Sequence, residues 1–126
     1  MRICFIVVLL SLWTASSFAH DEAYFKVHPK ELQQAFNKCH VKPTTSLNCE
    51  QLKLIAVRIN ALAYELRLDP QGYGQKILSL QQQIAAGESS ARAHALNADV
   101  KMQLDRHKQN LNERLAVVKW LESPVS

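Results

Sequence analysis

Cys39 and Cys49 are the residues whose type and spacing point most directly to chemistry, ten positions apart in a chain with three cysteines. Such a pair can be a disulfide, a redox couple or two thiolate ligands. A redox couple favours a close C-x-x-C, and a thiolate metal site needs further His or Cys at ligand spacing. Neither pattern surrounds this pair, so a structural disulfide is the expected state in an oxidising compartment. Closing so small a loop stabilises a fold by roughly 2.5–3 kcal/mol in the chain-entropy picture.

The remaining reactive side chains are sparse. Cleavage after Ala19 would make His20 an N-terminal amine–imidazole pair of the kind that chelates copper, given a second histidine. His28 and His40 are near in sequence but show no ligand spacing. No metal and no cofactor are therefore expected. His107 sits inside an apolar stripe, either as a seam histidine with one hydrogen-bond partner or as a pH-sensitive contact. There is no G-x-S-x-G, no phosphate-cradling glycine loop, no C-x-x-C-H and no Cys–His pair outside the disulfide. The carboxylates are scattered singly along helix faces, whereas acid–base catalysis wants two groups in contrasting environments. The expectation is a protein that is not an enzyme.

The N-terminus supplies the oxidising compartment. Met1 and Arg2 form a short positive region, Ile3 to Trp13 is almost wholly apolar, and Ser17-Phe18-Ala19 has small residues at cleavage spacing. Residues 1–19 read as a secretory signal peptide, leaving residues 20–126 as one small helical domain, periplasmic or secreted. The apolar run is too short to span a bilayer, which takes about 20 residues. His20 stands where a lipoprotein would need its cysteine, and Cys4 leaves with the leader. The mature chain is expected to be soluble, with no stable membrane span. The 15 Lys and Arg, Arg2 among them, are interspersed with 11 Asp and Glu. No basic run of the sort that binds nucleic acid occurs.

Helices must position these residues. Asp21-Glu22 can start a turn carrying Tyr24 and Phe25. Pro29 suits the first position of a helix, with Leu32, Ala35, Phe36 and Cys39 on one stripe. Val41 to Leu47, which contains Pro43, Thr44, Thr45 and Ser46, reads as a loop. Asn48 then caps a second helix with Gln51 as its capping-box partner. The disulfide thus staples a helical hairpin. Leu52, Ile55, Ile59, Leu62 and Leu66 form that helix's seam, and Arg58, Glu65 and Arg67 fall away from it. Asp69-Pro70 stops one helix and starts another, with Tyr73, Ile77, Leu80 and Ile84 as its stripe and Gly87 as its C-terminal cap. Gly72 and Gly74 in the first turn imply close backbone packing or fraying. A long last helix is expected from about Ser90 to Glu122, roughly 50 Å, with Leu96, Val100, Leu104, His107, Leu111, Leu115, Val118 and Leu121 inward. Its Ala-rich opening (Ala91, Ala93, Ala95, Ala98) should bury little. Trp120 points away from that stripe, as an exposed partner anchor or as a cover for Tyr24 and Phe25. The fold class is all-α: a small bundle with a stapled hairpin and a long C-terminal helix.

The segment Ala23 to Leu52 resembles the entry-exclusion lipoproteins of conjugative plasmids. The matching residues are the aromatic pair Tyr24 and Phe25, then His28-Pro29, Leu32, Cys39 and Cys49. The lipid-bearing cysteine of that family has no counterpart here. The resemblance implies a periplasmic protein that blocks redundant DNA transfer by contacting a type IV secretion component. Two contact readings follow: an envelope or secretion-system accessory, or a secreted effector or structural protein that dimerises through its last helix. Tyr24, Phe25, His107 and Trp120 are the candidate partner-binding residues.

Overall fold

The computed structural model describes residues 16–93 and 98–123, with side chains from Asp21 onward. Most of the expected leader, and Pro124, lie outside them. Five helices follow in order: α1 Ser16–Lys26, α2 Pro29–Lys38, α3 Cys49–Leu68, α4 Pro70–Ala93 and α5 Ala98–Glu122. Among the described residues no helix is long and apolar enough to cross a membrane.

The hairpin forms as its local signals dictate. Pro29 occupies the first position of α2, where its missing N–H costs nothing. Asn48 accepts from the Gln51 N–H while the Gln51 side chain accepts from the Asn48 N–H, each at 2.9 Å, which completes the capping box. Cys39 and Cys49 are joined by a disulfide with their Cα atoms 5.5 Å apart. The loop between them is also pinned from outside, because Thr45 and Ser46 both donate to the Asp21 carboxylate on α1. Leu47, buried, plugs the loop into the core.

All five helices feed one apolar cluster, through Phe25 on α1, Leu32 on α2, Ile59 on α3, Tyr73 on α4 and Val117 on α5. The expected seam of α3 is buried from Leu52 to Leu62, with Leu66 half-buried. Tyr73 and Leu80 on α4 are buried as read.

Three expectations are corrected. Gly87 does not end a helix: α4 runs on to Ala93, so Ala91 and Ala93 belong to α4, while Ala95 and Leu96 lie outside the described residues. Gly87 instead faces Leu104, and a Cβ there would come within 3.1 Å of the Leu104 Cδ1. Its missing side chain lets α4 and α5 approach closely. The two helices run antiparallel as a matched pair, so α5 has a partner of its own length. Second, the expected stripe of the last helix is half-buried at Val100, Leu104, His107, Leu111, Val118 and Leu121, but the most deeply buried positions lie to one side of it in the C-terminal half. Leu115 is exposed, and Glu113, Arg114 and Val117 are the buried residues. Polar partners on α3 draw the first two inward. Third, Gly72 reflects neither close backbone packing nor fraying. Its N–H donates to the Asp69 Oδ1 at 2.9 Å, and a Cβ would collide with that same carboxylate.

Candidate functional site

Between α3, α4 and α5 lies a polar layer built from residues the apolar pattern does not single out. Glu113 is 1% exposed, and both carboxylate oxygens are bonded: Arg58 donates to Oε2 at 2.7 Å and Gln109 to Oε1 at 3.2 Å. Arg114 donates to both oxygens of Glu65, at 3.3 and 3.5 Å, and to Asn110 at 3.3 Å. Lys76 also binds Glu65. The hydrogen bond from Lys76 is the main influence holding the Glu65 carboxyl below the usual range, opposed by burial and aided by Arg114. Tyr73 lies beneath Arg114 and is pushed up to about 12, chiefly by burial. The carboxylates are thus not all solitary, since Glu65 and Glu113 each bind a cation from another helix.

These ion pairs have the chemistry of a structural layer. Each anion faces its own cation, and no buried side-chain polar atom among the described residues lacks a partner. The adjoining cleft, lined by Lys76, Ser79, Leu80, Gln83, Asn110 and Arg114, holds about 200 Å³. Small-molecule sites are typically roughly 300–1,000 Å³. Its two cations are already turned onto Glu65.

The cysteine clip has a third donor nearby. The Cys39 and Cys49 sulfurs and a His40 ring nitrogen lie within 4.8 Å of one another. The two sulfurs are bonded together, so neither is a thiolate able to hold a cation. His28 is engaged locally: its Nδ1–H donates to the Tyr24 carbonyl at 2.7 Å, and its ring stacks on Tyr24 at 3.9 Å.

The four expected contact residues separate. Phe25 is buried in the core, and Tyr24 is exposed on the surface beside it. Trp120 is half-buried and packs on the core cluster to which Phe25 belongs, so it is no free-standing anchor. His107 is half-buried on α5, thirteen residues and about 20 Å along the helix from Trp120.

A different surface stands out. Leu54, Val57, Tyr64 and Leu68 on α3 are 72%, 60%, 64% and 67% exposed, with exposed Ala61 between them. These positions alternate by three and four, and each lies two residues beyond a seam residue, about 200° around the helix. α3 therefore carries two apolar faces, of which only one is in the core. The four large side chains expose on the order of 500 Å², at the upper end of what a monomer's largest apolar patch shows. Asn60, bonded to Gln33 of α2, marks one border, and Arg58 and Glu65, turned to α5, mark the other. The repeated spacing was present in the sequence as a second stripe on one helix. No protein-family model, curated protein or solved structure matches the chain.

Proposed function

We propose that this is an exported, non-enzymatic protein of the bacterial envelope that works by protein contact, with the outer face of α3 as its contact surface. The exposed stripe from Leu54 to Leu68 carries this reading. A helix apolar on both faces belongs between two partners, and the described fold supplies only one. The disulfide and the leader-like N-terminus support export into an oxidising compartment. The mutually paired ionic groups beside a small cleft support a non-catalytic role. The resemblance of Ala23 to Leu52 to entry-exclusion proteins makes a type IV secretion component the partner class to examine first.

The test is a photo-cross-linking side chain placed at Val57 in living cells, compared with the same group at Gln82, an exposed position on α4. Discrete protein adducts from Val57 and none from Gln82 are expected. Equal labelling from both sites, or none from either, overturns the reading.

A further inference from the structure

The spacing and borders of this stripe also specify its occupant, an inference that rests on the contact reading above. Leu54, Val57, Ala61, Tyr64 and Leu68 form a narrow line one residue wide, without the flanking apolar positions that a helix uses against a broad core. Such a strict three–four line is the seam of a two-helix coiled coil. A membrane surface would favour a wider apolar face. The stripe covers four turns, and small Ala61 at its middle allows a close crossing.

Charge then discriminates between helical partners. On the border nearer α2 the exposed cations Lys53 and Arg67 lie seven residues either side of Asn60. On the border nearer α5, Arg58 and Glu65 are committed to Glu113 and to Arg114 and Lys76. An antiparallel second copy would bring Lys53 of one chain toward Arg67 of the other, like against like. A parallel copy would set Lys53 beside Arg58, whose charge Glu113 already meets, and so offers Lys53 no anion. A second copy thus repels on the antiparallel course and supplies no anion on the parallel one, whereas acidic residues beside a partner's seam meet Lys53 and Arg67 favourably.

We infer that the outer face of α3 pairs with an amphipathic helix of another protein whose apolar seam is bordered by Asp or Glu. The test uses the full chain in the form the cell leaves it and two synthetic helical peptides. Both carry a four-turn Leu/Ile seam, one bordered by Glu and the other by Lys. The Glu-bordered peptide is expected to bind at least tenfold more tightly at low salt, with the gap narrowing as salt rises. The paired change Lys53→Glu and Arg67→Glu, at exposed positions, should reverse that preference without altering the melting temperature. Equal binding of both peptides, or a preference that survives the charge reversal, overturns the inference. So does a concentration-dependent dimer in sedimentation, or binding to phosphatidylglycerol vesicles without binding to either peptide. If these failures occur while Val57 still gives discrete protein adducts in cells, the contact reading stands and only the partner's chemistry is wrong.

Discussion

Tyr73 holds Arg114 at both ends: its hydroxyl donates to the Arg114 carbonyl at 2.9 Å, and its ring lies 4.9 Å from the guanidinium carbon of the same residue. One side chain of α4 therefore fixes the backbone and the charge of α5. Tyr73→Phe keeps the ring and removes the hydrogen bond. It should cost about 1 kcal/mol, which a melting curve reads as a loss of several degrees.

The same tyrosine gives a pH signature. With its folded value at about 12 against an ordinary 10, the folded state keeps the phenol proton while the unfolded chain releases it. The stabilisation from the neutral phenol is fully present below pH 10 and is lost as pH rises toward 12. Wild type should lose melting temperature across that window more steeply than Tyr73→Phe. Glu65 acts at the opposite limb. Its lowered value means its contribution is present above its ordinary 4.5 and is lost as pH falls through the folded value. Glu65→Gln should melt lower than wild type at pH 7, with the difference shrinking on acidification.

Glu113 depends on a cation that is itself half-exposed, since Arg58 reaches it from the border of α3. Arg58→Ala leaves a buried carboxylate with Gln109 alone and should destabilise by about 2–3 kcal/mol. Changing both residues to Leu should recover most of that loss, because a buried ion pair adds little over apolar residues of similar size. Denaturant melts of wild type and these two variants decide it.

Two glycines separated by one residue should respond in opposite directions. Gly74→Ala meets nothing within 4 Å and gains helix propensity, so it should stabilise by about 0.5–1 kcal/mol. Gly72→Ala places its Cβ against the Asp69 carboxylate that caps α4, and should destabilise by about 1 kcal/mol as that cap is displaced.

Changing both Cys39 and Cys49 to Ala opens the hairpin. A loss of roughly 2.5–3 kcal/mol under oxidising conditions is expected, and reductant should lower wild type to the same level. Equal melting of the variant and oxidised wild type would remove the staple from the energetics.

How much of this was legible can be argued from particular residues. The capping box at Asn48 and Gln51, Pro29 opening α2 and the ten-residue cysteine spacing are short-range signals, and each determines its own local geometry. Gly87 misleads because a glycine at a helix end and one at a helix crossing look alike until Leu104 is placed beside it. The buried face of α5 was out of reach for a related reason. Burying Glu113 and Arg114 is costly unless Arg58 and Glu65 meet them, and those partners are 55 and 49 residues away. The outer stripe of α3 was readable in principle, but a helix with two apolar lines does not say which one the fold will cover.

The central claim is that α3 serves two surfaces, one for the core and one for a partner. It is tested most directly by the adduct yield from a photo-cross-linker at Val57 with and without Leu54→Glu and Leu68→Glu. Both changes lie on the exposed line, so the folded amount and the melting temperature should stay the same while the adducts disappear. Undiminished adducts from the doubly changed protein, or unfolding caused by the two glutamates, would contradict it.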